Sequence, residues 1–167
     1  MSNAERIWEL VDARREACER LSDRVWARPE LAYGEFRSAA EHEKMLREEG
    51  FRVTVGPAGI PTALVGEAGE GGPVIAILGE YDALPGLSQE ANVAEPRPIP
   101  GNGYGHGCGH NMLGSAALLA ATALKNHLAE TGRAGTVRYY GCPAEEGGAA
   151  KAFMVRDGLF DDVGCAI

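Results

Sequence analysis

The chain has 167 residues, of which 45% are hydrophobic and 24% charged, and its formal net charge is -8. These proportions are typical of a globular domain with a hydrophobic core, and no apolar run approaches the roughly 20 residues that span a bilayer. The negative charge argues against nucleic acids and anionic membranes as partners, because both are bound by basic patches. The N-terminal residues lack the apolar core of a signal peptide, so we expect a cytoplasmic protein.

The first half of the chain is predicted to contain two helices followed by three strands. Apolar residues recur at three- and four-residue steps over residues 4 to 27 and 35 to 49, which predicts two amphipathic helices. Arg28-Pro29 ends the first helix, because a residue before proline is displaced from the helical region. Strands are predicted at 51–55, 62–65 and 74–78, with a turn at 67–72.

The second half alternates helices with strands. Residues 79 to 109 lack periodicity and are rich in glycine and proline, which is typical of a long functional loop. A helix is predicted at 112–130 with Asn111 as its N-cap, then a strand at 136–140 and a helix at 149–156. The strand–helix–strand–helix order predicts an α/β fold in which helices cover a sheet.

Three groups of chemically active side chains lie beside the predicted strand ends. Asp82 follows strand 74–78, and Glu145 and Glu146 follow strand 136–140. Cys108 and His110 end the long loop. Because open α/β sheets bind ligands beyond the carboxyl ends of their strands, we expect these groups to meet at one edge.

Cysteine, histidine and glutamate are suitable ligands for zinc, whereas manganese would favour the oxygen atoms. A catalytic metal site uses about three protein ligands and keeps one position open for water. A neighbouring carboxylate can then serve as general base. The adjacent glutamates Glu145 and Glu146 fit this division, with one as a ligand and the other facing the water.

Other interpretations of these side chains remain open at this point. Asp82 could simply hold a turn, and His106 could lie beside the ligands or contact substrate. Cys108 could be a nucleophile activated by a histidine, although this leaves the paired glutamates unexplained. His42 and His127 are predicted to lie at the surface, and Cys18 and Cys165 in the core.

Three segments resemble one enzyme family. These are Asp82–Pro85 (Asp-Ala-Leu-Pro), Gly105–Asn111 (Gly-His-Gly-Cys-Gly-His-Asn) and Cys142–Gly148 (Cys-Pro-Ala-Glu-Glu-Gly-Gly). They resemble the aminoacylase-type metallopeptidases, and within them the branch of hippurate hydrolase, the plant auxin-conjugate amidohydrolases and p-aminobenzoyl-glutamate hydrolase. The similarity is greatest to one of the two chains of the last enzyme and covers nearly the whole sequence.

The resemblance implies a three-layer α/β/α zinc-peptidase-like catalytic domain with a central mixed, largely parallel sheet. It also implies metal-dependent hydrolysis of the amide bond in an N-acyl or N-aroyl amino acid such as p-aminobenzoyl-glutamate. Zinc or manganese would be the cofactor, frequently as two ions. By the same resemblance Cys108, His110 and Glu146 would be metal ligands, Glu145 the general base, and Asp82 a residue that orients a ligand.

The chain departs from the family pattern in two segments and in its length. The common Cys-Gly-His-Asp is Cys-Gly-His-Asn111, which fits a p-aminobenzoyl-glutamate hydrolase or dipeptidase-like branch. The histidine that often precedes Pro-Glu-Leu is replaced, with Trp26 nearby before Pro29-Glu30-Leu31. Family members are longer, so we expect residues 1–167 to be the N-terminal portion of a single catalytic domain. Further histidine ligands and a dimerisation domain would follow, giving a homodimer or a heterodimer of related subunits. Alone, this portion is expected to be inactive; the alternative is a non-catalytic binding or regulatory module.

Overall fold

The computed structural model describes residues 2–167, which contain six α-helices, one short 3₁₀ helix (Pro57–Gly59) and seven strands. The helices are α1 (Asn3–Asp12), α2 (Arg15–Trp26), α3 (Phe36–Glu48), α4 (His110–Thr131), α5 (Glu145–Gly148) and α6 (Ala150–Arg156). The strands are β1 (Arg52–Val55), β2 (Leu64–Glu70), β3 (Val74–Gly79), β4 (Leu84–Pro85), β5 (Tyr104–Gly105), β6 (Gly135–Gly141) and β7 (Cys165–Ala166). None of the helices in this part of the chain is long and apolar enough to cross a membrane.

The central sheet has five strands in the order β1-β2-β6-β3-β7. The β1–β2 and β2–β6 pairs are antiparallel, and the β6–β3 and β3–β7 pairs are parallel. The sheet is therefore mixed, as the resemblance implied, with parallel pairing on the β3 side. Strands β4 and β5 form a separate antiparallel ribbon inside the loop predicted at 79–109.

Helices cover both faces of this sheet, which confirms the expected α/β/α arrangement. On one face, Leu21, Leu46 and Leu118 from α2, α3 and α4 pack with Val137 and Tyr139 of β6. The opposite face carries Ala150 and Met154 of α6, which cluster with Ile60 and Tyr140. Helix α4 contacts β3 and β6 of the sheet as well as the neighbouring helices α1 and α2. These contacts fix the position of its first residue, His110.

Two predicted elements differ from the structure. The single helix expected over residues 4 to 27 is wrong, because the helix ends at Asp12 and a second one begins at Arg15. Arg14 has φ -117° and ψ 0°, which interrupts the helical backbone between them. The turn expected at 67–72 is also wrong over residues 67–70, because β2 pairs with β6 as far as Glu70.

The predicted environments of several side chains also need correction. His42 and His127 are buried rather than exposed, and His42 lies 4.9 Å and 6.2 Å from the Tyr81 and Tyr139 ring centroids. The charged neighbours of His42 occupy the outer face of α3, whereas His42 itself faces the sheet. Cys18 is buried as predicted, but Cys165 is exposed because it lies on the outermost strand of the described sheet.

Candidate metal centre

The carboxyl ends of β3 and β6 lie side by side at one edge of the sheet. The two strands are parallel neighbours, with Gly79 opposite Gly141. The chain therefore leaves the sheet at the same level towards Asp82 from β3 and towards Glu145 and Glu146 from β6. The expected meeting of these side chains at one edge of the sheet therefore follows from the adjacency of β3 and β6.

Helix α4 delivers the histidine to this edge, and its start differs from the prediction. The N-cap is Gly109, whose left-handed conformation (φ 81°, ψ 22°) is one that glycine adopts without steric penalty. Asn111 is therefore not the cap. Its amide instead donates a 2.9 Å hydrogen bond to Ser22 Oγ and ties α4 to α2. His110 becomes the first residue of the helix and is buried beneath the loop.

A buried carboxylate orients the imidazole. Asp82 Oδ1 lies 2.9 Å from His110 Nδ1, and Asp82 Oδ2 accepts a 3.0 Å hydrogen bond from the backbone N–H of Glu146. Burial acts to raise the pKa of Asp82, but the hydrogen bonds from His110 and Glu146 outweigh it and hold that pKa below its usual value. The Asp82 hydrogen bond raises the pKa of His110. Because Asp82 is an acceptor, Nδ1 carries a proton and Nε2 points away from Asp82.

Nε2 faces the side chains that the sequence singled out as metal ligands. The ligand atoms of Cys108, His110 and Glu146 all lie within 4.8 Å of one another. Nε2 is 3.8 Å from Glu146 Oε1. Ligand atoms held about 2.0–2.3 Å from one zinc ion are separated by at most about 4.6 Å. The three side chains therefore fit a single ion after small rotations, and we call them the thiolate set.

A second group of potential ligands shares the same imidazole. Glu80 Oε2 lies 3.1 Å and Glu145 Oε2 3.9 Å from His110 Nε2, and the ligand atoms of these three residues also lie within 4.8 Å of one another. We call Glu80, His110 and Glu145 the carboxylate set. The other oxygen of Glu80 forms an ion pair with Lys151.

Sequence reasoning missed both Glu80 and Lys151. Glu80 carries one usable signal, since it lies two residues before Asp82, and alternate residues of an extended segment project to the same side. Lys151 carries none, because it approaches Glu80 from α6, 71 positions along the chain.

Another buried carboxylate holds the loop that carries Glu145 and Glu146. Glu35 Oε1 accepts a 2.8 Å hydrogen bond from Ala144 N–H, and Glu35 Oε2 accepts one of 3.0 Å from Thr62 Oγ1. Ala144 has a left-handed backbone (φ 54°), which is strained for a residue with a side chain. Burial raises the pKa of Glu35, although its backbone hydrogen bonds act in the opposite direction. Glu35 was not anticipated either, because a glutamate at a helix start is typical of a solvated position.

His106 lies apart from both ligand sets. Its Nε2 is 3.2 Å from the backbone carbonyl of Val25, and its Nδ1 is buried without a hydrogen-bond partner among the described residues. Burial lowers the pKa of His106. The ring thus contacts the end of α2, while neighbouring Cys108 reaches the thiolate set.

The environment of Cys108 disfavours its use as a free nucleophile. Reactive cysteines have a lowered pKa because a cationic group or a helix N-terminus stabilises the thiolate. The Cys108 thiol instead lies beside Glu146, which raises its pKa, and Glu145 and Glu80 act in the same direction. A thiol surrounded by carboxylates is suited to binding a cation.

Comparison with known proteins agrees with this geometry. The profile of peptidase family M20/M25/M40 matches residues 76–167. A p-aminobenzoyl-glutamate hydrolase subunit from Escherichia coli K12 is 49% identical over 161 residues, which cover 96% of this chain and 34% of that protein. N-acetyl-L-cysteine deacetylase from Bacillus subtilis is 34% identical over 83% of this chain and 32% of its own length.

A solved structure shares the fold. The YXEP protein of Bacillus subtilis, described as a dinuclear metal binding peptidase of the M20 family, matches with a TM-score of 0.72 and 28% identity. The match covers 93% of this chain and 42% of that one. The chain spans about a third of the length of the curated relatives, at 34% and 32%.

Proposed function

The chain belongs to peptidase family M20/M25/M40, and from this premise we propose that it contributes the core of a metal-dependent amidohydrolase site. The observation that carries the proposal is the thiolate set, in which sulfur, nitrogen and oxygen ligand atoms lie within 4.8 Å of one another. The buried Asp82 supports it further, because a carboxylate on Nδ1 leaves the lone pair of Nε2 available to a cation.

Cys108, His110 and Glu146 would hold the ion. A divalent ion bound there would polarise an amide carbonyl and lower the pKa of water at its open position. The thiolate of Cys108 favours zinc, whereas an oxygen-rich set of ligands would favour manganese. We therefore propose zinc as the ion of the thiolate set. A second ion would need ligands in addition to these three.

Glu145 is proposed as the general base. Its carboxylate oxygen lies 3.9 Å from His110 Nε2, and its side chain is 41% exposed, so it borders the ligand cluster on the open side. In this position it can accept a proton from an attacking water and later deliver that proton to the leaving amine. The Asp82 bond to the backbone N–H of Glu146 and the Glu35 bond to Ala144 fix the loop on both sides of Glu145.

We propose an N-acyl or N-aroyl amino acid as substrate, with p-aminobenzoyl-glutamate as the first candidate. Support comes from the relative with 49% identity, which is named for that hydrolysis. A dipeptide is the alternative within the same chemistry, since it presents the same amide bond next to an amino acid carboxylate.

Residues 1–167 are proposed to be part of one catalytic domain rather than a complete enzyme. The proposed site has three protein ligands and one base, and the relatives are about three times as long, since this chain covers 34% and 32% of them. We also propose assembly as a homodimer or with a related chain. The support is that the relative with 49% identity is named as one subunit of an enzyme. A non-catalytic binding module is the competing proposal.

The test is a chimera in which residues 2–167 replace the matching third of the Escherichia coli relative, expressed with that protein's companion chain. We expect release of glutamate from p-aminobenzoyl-glutamate. Glu145→Gln should lower kcat by about 10²–10⁴-fold while zinc stays bound, whereas Glu146→Gln should lose zinc. Full turnover of Glu145→Gln would refute the assignment of the base. A folded, zinc-loaded chimera without turnover would favour the binding module.

A further inference from the structure

A cleft with a volume of about 740 Å³ lies between the end of α2 and the loop that joins β4 to β5. Clefts that bind small molecules have volumes of this size. None of Cys108, His110, Glu145 and Glu146 lines it. The cleft therefore shares no proposed ligand or base with the metal centre, and the proposed function gives it no role.

Two arginines without an ion-pair partner line this cleft. Arg28 and Arg37 are both exposed, and neither forms an ion pair with a side chain of residues 2–167. The other arginines of this range pair with carboxylates, except for Arg133, which is exposed and lies outside the cleft. A guanidinium group offers five N–H donors in a planar fork that matches a carboxylate. We call this feature the arginine cleft, and its charge favours an anionic ligand.

The acidic side chains of the arginine cleft do not neutralise both arginines. Glu30 lines the cleft, but its carboxylate accepts hydrogen bonds from the backbone N–H groups of Arg37 and Ser38, at 3.1 Å and 2.8 Å. Its charge therefore compensates the positive end of the α3 dipole. Asp23 is the other acidic residue of the lining. Two guanidinium groups are thus set against the single remaining carboxylate, that of Asp23.

Aromatic and apolar side chains form much of the remaining surface. Trp26 at the end of α2 and Tyr104 at the start of β5 are both half-buried and line the cleft. Pro29, Ile99 and Pro100 add apolar surface. Planar rings pack on tryptophan and tyrosine side chains through offset-stacked or edge-to-face contacts. A ligand that combines an anionic group with an aromatic ring would therefore use both kinds of surface.

Hydrogen bonds within the loop hold its side of the cleft in shape. Ser88 Oγ donates to the Ile99 carbonyl at 3.0 Å and accepts the Ile99 N–H at 3.1 Å. Gln89 Oε1 accepts the Arg97 N–H at 2.9 Å, and Gln89 Nε2 donates to the Glu95 carbonyl at 3.0 Å. A ligand does not have to order this wall, which lowers the entropic cost of binding.

We propose that the arginine cleft is a second ligand site, which binds a small aromatic carboxylate. The carboxylate pairs with the guanidinium groups of Arg28 and Arg37, and the ring packs on Trp26 and Tyr104. A ligand bound there would contact β5, from which the chain leads to Cys108. The inference does not depend on the proposed function, because the cleft lies outside the metal centre.

The experiment titrates the metal-free chain with 2-naphthoate, followed by isothermal titration calorimetry. We expect saturable binding of one ligand per chain. The uncharged 2-naphthamide and the ring-free acetate should each bind at least about tenfold more weakly, because each lacks one of the two kinds of contact. Arg28→Gln and Arg37→Gln should each weaken 2-naphthoate binding at least about fivefold. Trp26→Leu should weaken it as well, whereas Asp23→Asn should strengthen it.

Matched variants separate this site from others on the molecule. Arg133→Gln removes the same charge outside the cleft, and His110→Ala alters the metal centre, so both should bind 2-naphthoate normally. Circular dichroism checks that each variant is folded. Equal affinity in Arg28→Gln, Arg37→Gln and Arg133→Gln would overturn the inference, as would loss of binding in His110→Ala or the absence of saturable binding at millimolar concentrations. The proposed function is tested separately, since none of these results concerns zinc.

Discussion

The Asp82 carboxylate holds the His110 imidazole through a 2.9 Å hydrogen bond at Nδ1. The same carboxylate accepts the backbone N–H of Glu146 at 3.0 Å through its other oxygen. One buried group therefore connects the segment after β3, the start of α4 and the short helix α5 after β6. Asp82 therefore aligns the proposed metal ligands His110 and Glu146 before any ion binds.

Replacing Asp82 by asparagine tests this alignment. An amide keeps one oxygen for His110 but presents an N–H₂ group to the N–H of Glu146, so one of the two hydrogen bonds must be lost. We expect zinc affinity to fall about 10–100-fold, the usual effect of removing a group that orients a metal-binding histidine. Isothermal titration calorimetry with a competing chelator measures it. Asp12→Asn, an exposed helix-end control, should bind zinc normally; equal affinity in Asp82→Asn would contradict the role.

Glu35 is expected to be essential for stability although it touches no ligand. Glu35→Ala leaves the Tyr33 N–H, the Ala144 N–H and the Thr62 hydroxyl without their acceptor. The Ala144 and Thr62 donors are buried, and each unpaired buried donor costs about 1–3 kcal/mol, so the free energy of unfolding should fall by at least about 2 kcal/mol in urea denaturation.

The exposed ion pair of Glu43 with Arg47 supplies the comparison for Glu35. Glu43→Ala should change the free energy of unfolding by less than about 1 kcal/mol, since exposed pairs contribute little. A Glu35→Ala protein as stable as Glu43→Ala would show that the buried hydrogen bonds are dispensable.

His42 should make the protein less stable in mild acid. Burial lowers its pKa to about 4 from the usual value of 6.5. Between these values the unfolded chain binds a proton that the folded chain does not, so the stabilisation is complete above pH 6.5 and is lost as the pH falls towards 4. From pH 7 to pH 5 this group should remove about 2 kcal/mol from the free energy of unfolding.

The His42→Leu variant isolates that contribution from the other titrating groups. Urea denaturation at both pH values should give a smaller loss in the variant than in the unmodified chain. Parallel losses in the two proteins would mean that His42 does not titrate in this way.

Gly114 is predicted to be intolerant of a side chain, because α4 passes close to the backbone of Glu80 and to His42. A Cβ at this position would lie 2.3 Å from the Glu80 carbonyl oxygen and 2.8 Å from His42 Nε2. Gly114→Ala should therefore destabilise the protein by about 1–3 kcal/mol, as overpacking usually does, in thermal or urea denaturation. A Cβ at Gly147 meets nothing within 4 Å, so Gly147→Ala is the tolerated counterpart. Equal stability of the two variants would contradict the packing.

Local sequence patterns were sufficient for much of the fold. The strands predicted at 74–78 and 136–140 and the helix predicted at 112–130 agree with β3, β6 and α4 to within two residues at each end. These elements bury their own apolar side chains, and the pattern of apolar residues in the sequence therefore indicates them. Strand β7 was not predicted, because two residues are too few to show an alternation of apolar and polar side chains.

The candidate site was only partly predictable. Asp82, Cys108, His110, Glu145 and Glu146 stood out because they follow strands or lie in a glycine-rich loop, and their proposed metal roles stay predictions. Glu80, Lys151 and Glu35 did not stand out, since their partners lie 71 and 109 positions away along the chain. A contact of this kind depends on how α6 and α3 pack on the sheet, and neighbouring residues contain no signal for it. His42 was misjudged for the same reason.

The most direct test of the metal centre is zinc stoichiometry combined with the spectrum of the cobalt-substituted chain. We expect about one zinc ion per chain, as three well-spaced ligands should hold. We also expect a sulfur-to-cobalt charge-transfer band that Cys108→Ala abolishes, and loss of the ion in His110→Ala. Zinc bound without such a band, or with the same affinity in His110→Ala, would contradict the central claim that Cys108 and His110 bind one metal ion.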